Sequence, residues 1–294
     1  VSRFQRLAAA TVATVFLLVT IGVAVRATAS GEACPHWPGC FPGQFLPGLD
    51  ADGHVWIEWL HRSVAALIGF ETLGLAVIAF LDHRDRRSIL WPSIGAVVLV
   101  GFQAWLGQET VRLGNSGPSV TAHLAAAMAL VGLLVYLLVR AWYPARVAGR
   151  SGSPGAGQRF TLLATFGAVA TFLLLLFGSN VTATSAALVF PDWPLMNGGI
   201  QAIGPDTPAS LAPLYAAHEL HRYAAAVVFV ILAWVAVAAW RSGRSRPAIA
   251  RLAAVVLAVY VVQVVVGGLQ VLTQLAPWTQ TLHVALGSLI WGGA

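Results

Sequence analysis

Four histidines stand at duplicated positions. His61 and His123 lie in the first half of the chain, and His221 and His283 follow 160 residues after each. Imidazole is the commonest metal-binding side chain. All four sit near one end of an apolar run, where an ionisable group is costly and marks a site. A lone histidine there would read as an interhelical hydrogen bond. Two pairs at one depth, in duplicated halves, point to ligation instead. Two histidines on facing helices of a four-helix bundle suit axial binding of a haem iron. A structural zinc wants four nitrogen or sulfur ligands at one point, and neither half offers them. The pattern predicts one bis-histidine porphyrin site in each half.

The neighbours of these histidines carry charge. Arg62 and Arg222 directly follow His61 and His221. Their guanidinium groups could meet porphyrin propionates or snorkel to the membrane interface. Glu58 stands three residues before His61, on the same helix face. The matching residue before His221 is His218, so the carboxylate belongs to the first half alone. Glu58 could take a proton or stabilise positive charge beside a substrate, or pair with Arg62 at the interface. His218 could compete for the ligand role, but the repeat register favours His221. His36, His54 and His83 fall between apolar runs and read as solvated loop residues.

Cys34 and Cys40 lie in the run SGEACPHWPGC, and their counterparts are Phe190 and Met196. In an oxidising compartment two cysteines six residues apart could pair. The pair reads first as a loop staple and second as a thiol–disulfide couple open to exchange. No CxxCH motif occurs, which argues against covalently attached haem.

The rest of the 294 residues must position these groups in a membrane. Charged residues make up 10% of the chain and hydrophobic ones 58%, against about 25% charged in soluble domains. That excludes an ordinary soluble enzyme and a disordered chain. Mean hydropathy is +0.77. Apolar runs near 8–26, 57–81, 90–110, 120–141, 160–180, 215–240, 249–272 and 280–294 predict eight transmembrane helices. The runs lack the alternation of a β-barrel. The first is read as a span rather than a cleaved leader. Only 15 residues follow Thr279, fewer than the about 20 that a span needs, which reads as a chain cut short or a tail outside this sequence.

All 17 basic residues are Arg, and the net charge is +6. A pI near 10.1 would suggest nucleic acid in a soluble protein; here it fixes topology and implies no nucleic-acid partner. Thirteen of the Arg, among them Arg146, Arg150, Arg244 and Arg246, fall at the N-terminus and in the loops after the even-numbered spans. By the positive-inside rule both termini are cytoplasmic, in a multi-pass protein of the plasma membrane. Most acidic residues, including Asp206, then face outward with the histidines.

The halves repeat. Residues 22–28 match 178–184 at an offset of 156, as do Pro35, Trp37 and Pro38 with Pro191, Trp193 and Pro194. From His61 onward the offset is 160: Arg62 meets Arg222, Gln103 meets Gln263, and Gly107 meets Gly267. Four spans per copy give both copies one orientation and a pseudo-twofold axis along the membrane normal. The expected domains are an N-terminal bundle at 1–148, a cytoplasmic linker at 149–158 and a C-terminal bundle at 159–294. The linker, GRSGSPGAG at its start, has no Lys after its glycines and is no phosphate loop.

Together the run from Arg26 through Cys40, the Glu58-Trp-Leu-His61-Arg62 motif, His123, His221-Arg222 and His283 resemble the haem A synthase family, over nearly the whole chain. The resemblance implies an eight-helix membrane oxidoreductase. It implies haem b between His221 and His283 as cofactor, and haem O between His61 and His123 as substrate. The implied reaction takes a porphyrin methyl group through a hydroxymethyl stage to a formyl group. Glu58 maps to the family's acidic residue near the substrate, and Cys34 and Cys40 to the loop pair of one bacterial class. A haem O-producing enzyme and an unidentified electron acceptor are the implied partners, besides the lipid bilayer. The competing function is a di-haem cytochrome that only carries electrons. It explains four histidines equally well, but not why Glu58 and the cysteines belong to one half. A transporter finds little support, with Gly267-Gly268 the one weak candidate for a broken helix.

Overall fold

Long apolar stretches give eight α-helices among the described residues, one of them with Pro92 in its interior. These are α1 (Arg3–Ala27), α2 (Gly53–Asp82), α3 (Arg87–Arg112), α4 (Gly117–Trp142), α5 (Pro154–Ala183), α6 (Ala212–Arg241), α7 (Pro247–Leu272) and α8 (Pro277–Gly293). The computed structural model describes residues 1–36, 39–143, 154–204, 207–241 and 247–294, with only the backbone of 154–156. Trp37, Pro38, Asp206, Arg146, Arg150, Arg244 and Arg246, and residues 149–153 of the expected linker, lie outside this set. Residues 154–158 of that linker open α5 instead: Pro154 suits the first helical turn, where its missing N–H is not needed.

Two helix starts follow from side-chain capping. Ser2 accepts from the Gln5 N–H, and the Gln5 side chain accepts from the Ser2 N–H, a reciprocal capping box. Asp52 caps α2 by accepting from the His54 N–H at 2.8 Å. His54 therefore opens a helix, which corrects its reading as a loop residue. The repeat extends to helix ends. α3 closes through Gly114 and Asn115 with φ of +61° and +54°, and α7 through Gln274 and Leu275 with +51° and +63°. In both, an N–H five residues on returns to the helix: Asn115 to Thr110 and Leu275 to Gln270, each at 2.8 Å.

The chain divides into two units, Val1–Gly149 and Arg150–Ala294. In the first, each helix packs on its sequence neighbours and α1 returns against α4. In the second, α5 to α8 pack in the same order and α5 meets α8. Each unit is thus an up-down-up-down four-helix bundle. Phe4, Leu75, Met128, Leu134 and Leu137 are fully buried in the first. Val228, Leu232, Val256, Tyr260 and Ile290 form the core of the second, with the Tyr260 hydroxyl donating to the Ala225 carbonyl at 2.7 Å.

Among the described residues seven helices are long and apolar enough to cross a membrane, and α8 is a 17-residue apolar helix. Their outer faces stay apolar: Phe70 is 73% exposed and Trp240 76%. In water such faces would aggregate; in a bilayer they meet lipid. This is a polytopic membrane protein. Lipid is as apolar as leucine, so packing and hydrogen bonds hold the bundles together more than the hydrophobic effect does. α7 runs unbroken through Gly267-Gly268.

Candidate functional site

Each of the four repeated histidines lies about two turns inside its helix, against a glycine of the preceding helix. A Cβ on Gly22 of α1 would lie 3.0 Å from His61 Nε2. A Cβ on Gly107 of α3 would lie 3.4 Å from His123 Cε1. In the second unit the same relations hold between Gly178 and His221, at 3.0 Å, and between Gly267 and His283, at 3.1 Å. Only the missing side chain lets the imidazoles lie so close to the neighbouring backbone. In His61 the Nε2 edge faces the glycine, and in the other three the Cε1–Nδ1 edge does. The rings are half-buried rather than packed over.

His61 and His123 stand on α2 and α4 of the first bundle, and His221 and His283 on α6 and α8 of the second. Nδ1 of His123, of His221 and of His283 is buried with no hydrogen-bond partner among the described residues. A buried polar atom without a partner is costly. In all three the orphan lies on the edge that faces the glycine, which leaves Nε2 as the nitrogen turned toward a ligand. No group of three or more His, Cys, Asp or Glu side chains converges on one point among the described residues. The donor set is therefore paired imidazoles, which suits bis-axial ligation of a planar metallocycle.

Above the first pair, the loop after α1 is clamped to α2. Glu58 is 3% exposed. Its Oε2 accepts from the Cys34 N–H at 2.7 Å, and its Oε1 accepts from Arg62 Nη2. Arg62 also donates to the carbonyls of Cys34, His36 and Gly39. Cys34 and Cys40 form a disulfide, which is buried against Val55 of α2. The pairing of Glu58 with Arg62 is thus present, one turn from His61.

The second unit repeats the clamp with different chemistry. Arg222 donates to the carbonyls of Asp192, Pro194 and Leu195. At the Glu58 position, His218 Nδ1 lies 2.9 Å from the Ala186 carbonyl, and its Nε2 accepts from Arg222 Nε at 3.0 Å. Both ring nitrogens are committed, so His218 offers none to a metal. Phe190, where the first unit has Cys34, is fully buried beside His218, and Arg222 lies over its ring. Met196 is buried where the first unit has Cys40. Packing thus replaces the disulfide. Trp193 of the same loop lies on α7 at Gly268, where a Cβ would come within 2.5 Å of its ring.

The sequence model of the family described as cytochrome oxidase assembly protein matches residues 5–294. The chain belongs to this family. It is 31% identical to a protein named Heme A synthase from Caulobacter vibrioides, over 75% of each chain. It is 29% identical to one of that name from Caulobacter sp. strain K31, over 95% of this chain and 88% of the relative. A third, from Geobacillus thermodenitrificans, is 27% identical over 96% and 86%.

In this member of the family the remaining polar residues are spread along the helices and loops. Most N–H groups of Arg62 and Arg222 are committed to loop carbonyls, which narrows what either can offer a propionate. Gln103 and Gln263 lie one turn deeper than Gly107 and Gly267, each with a buried, unpartnered Oε1. Glu71 finds Thr14, whose hydroxyl donates to it at 3.2 Å, while its Oε2 stays buried and unpartnered. Glu109 pairs with Arg112 at 3.4 Å on the surface. His36 lies in the loop and serves through its carbonyl. His83 ends α2 and sits edge-on to Phe4. His54 Nδ1 lies 2.9 Å from the buried Ser30 hydroxyl, so it is anchored rather than simply solvated. The glycine seats carried a sequence signal in the matched Gly22/Gly178 and Gly107/Gly267 positions. The Phe190–Arg222 and Trp193–Gly268 contacts carried none.

Proposed function

We propose that the chain is an oxidoreductase that makes haem A from haem O, oxidising one porphyrin methyl group to a formyl group by way of a hydroxymethyl stage. Family membership over residues 5–294 and relatives named Heme A synthase support the activity. The observation that carries the division of labour is the unequal pair of clamps. Two matched histidine pairs differ in that one has a carboxylate one turn before its histidine and a disulfide, where the other has His218, Phe190 and Met196. The second unit's buried carboxylate, Glu219, stands one residue further on and is bonded to the Ala202 N–H and the Tyr223 hydroxyl.

On this reading the first unit takes haem O between His61 and His123. The second holds haem b between His221 and His283, where it would supply a one-electron redox centre. Glu58 keeps free lone pairs on both carboxylate oxygens. It can favour positive charge developing at the oxidised methyl carbon and accept a proton from water that adds there. The glycine seats fix the imidazole planes, and the loops exclude bulk water from the ring faces. Arg62 and Arg222 act on propionates through charge more than through direct bonds. The histidine end faces outward from the plasma membrane, and both termini lie in the cytoplasm. A haem O-producing enzyme delivers a substrate that prefers lipid to water, and an electron acceptor completes the cycle.

Haem extraction and mass analysis test this, on protein purified with and without a haem O supply. The expected result is haem b in both, and haem O or its oxidised products only with the supply. Two haem b per chain under both conditions would overturn it in favour of an electron carrier.

A further inference from the structure

A tight turn in the loop after α1, and another in the loop after α5, each leave an apolar side chain uncovered. The first turn is closed between Phe41 and Gln44, the second between Met196 and Gly199. The residues that follow, Phe45 and Ile200, are 85% and 77% exposed. Leu46 and Leu49 extend the first tip and are exposed too. Each tip is held by an aromatic side chain of the helix that carries the first histidine of its pair. Trp59 of α2 donates its indole N–H to the Phe45 carbonyl at 2.9 Å, with the two rings edge to face. The Tyr223 hydroxyl of α6 donates to the Ile200 carbonyl at 2.7 Å. It also lies 2.9 Å from Glu219, which accepts from the Ala202 N–H of the same loop. The two anchors differ in type and register, yet they hold equivalent carbonyls.

Both anchors stand on a lipid-facing stripe of their helix. Trp59 is in line with exposed Ala66 and Phe70, and Tyr223 with exposed Leu220, Val227 and Val230, at helical spacing. Depth agrees with this. A span takes about 20 residues. Counted from Asp82 at the far end of α2, that reaches Arg62; counted from Arg241 at the far end of α6, it reaches His221. Trp59 and Tyr223 therefore lie within a turn of the hydrocarbon edge, where Trp and Tyr rings concentrate because one end is apolar and the other polar. Residues 28–52 of the first loop include Glu32, Asp50 and Asp52 and no Arg or Lys. Attraction to anionic headgroups therefore does not drive the contact; burial of apolar area does. We propose that both tips rest at headgroup level in the leaflet on the histidine side, with Trp59 and Tyr223 as their pins. Each loop is then fastened twice: inward by Arg62 or Arg222, and outward to the bilayer by its tip. The inference does not depend on what the histidines hold.

Spin-label accessibility tests this in the full-length protein, reconstituted in phosphatidylcholine vesicles. Both native cysteines are in the disulfide, so one introduced cysteine takes the label alone. Oxygen concentrates in lipid, and a charge-neutral nickel chelate stays in water. Phe70→Cys, exposed in mid-span, sets the lipid limit, and Ser210→Cys, exposed ahead of α6, sets the aqueous one. Labels on Phe45→Cys and Ile200→Cys are expected to collide more with oxygen and less with the chelate than the label on Ser210→Cys. Chelate collisions equal to the aqueous limit at either tip overturn the proposal. Shielding of a tip from oxygen and chelate alike overturns it too, because that marks a face covered by protein. Leu46→Cys gives the first reading again where Phe45→Cys fails to fold. Trp59→Phe keeps a ring and loses the indole N–H. Added to Phe45→Cys it is expected to raise chelate collisions there; added to Ile200→Cys it is expected to change nothing. An unchanged signal at Phe45→Cys overturns the role of Trp59 as a pin.

Discussion

The backbone N–H of Cys34 donates to Glu58 Oε2 at 2.7 Å, tying the disulfide-bearing loop to the helix that carries His61. The carboxylate is thus a loop anchor and, on the proposed reading, the charged group beside the substrate. Glu58→Gln separates the two roles. The amide keeps an acceptor for the Cys34 N–H but loses the charge. We expect a folded protein with cofactor haem bound and turnover lower by about 10²-fold or more. Turnover equal to the parent would reduce Glu58 to an anchor. Glu58→Ala leaves Arg62 with no counter-charge and should also destabilise the first unit by about 3 kcal/mol, read as thermal unfolding in detergent.

Opening the disulfide should loosen the first loop and little else. Closing a loop this short restricts the unfolded chain by about 2 kcal/mol. Cys34→Ser with Cys40→Ser should make the loop after α1 more sensitive to protease, while the loop after α5, held by Phe190 and Met196, cleaves as before. Equal protection of both loops would show that the clamp of Glu58 and Arg62 suffices without the bond.

The glycine seats predict haem loss without unfolding. Alanine in a helix interior is favoured over glycine by about 0.5–1 kcal/mol. A Cβ at Gly178 would nevertheless crowd the His221 ring at 3.0 Å. Gly178→Ala should reduce haem content, and Gly178→Val should remove most of the second-site haem with helix content intact by circular dichroism. Full haem occupancy in Gly178→Val would mean the ring does not need its seat.

Asp192 gives the second loop a response to acid. The Gly198 N–H, and after it the Asn197 N–H, hold its carboxyl below the ordinary value of 3.8. A depressed carboxyl contributes stability that is complete above about pH 3.8 and is lost as pH falls through the folded value below it. The loop carrying Trp193 should therefore loosen only in strong acid. Trp fluorescence between about pH 5 and pH 2 should change in the parent, and less in Asp192→Asn. Identical curves would rule out Asp192 as the acid-sensitive group.

Much of this protein is written in spacing. Runs of apolar residues fix helices because the backbone must satisfy itself in lipid. The offset of 160 fixes which histidines are equivalent, because duplicated helices keep residues of equal register at equal depth. Helix order alone puts His61 and His123 in one bundle and His221 and His283 in the other, and Glu58 in the first half. Tertiary structure decided what each side chain does with its hydrogen bonds. Nothing in the spacing says that each Glu58 oxygen accepts one hydrogen bond, that His218 is committed to Ala186 and Arg222, or that His54 reaches Ser30. Such contacts depend on how a loop folds back over a helix end and on which way a ring turns. A repeat in sequence copies depth and face; it does not copy the partner that a changed residue finds there.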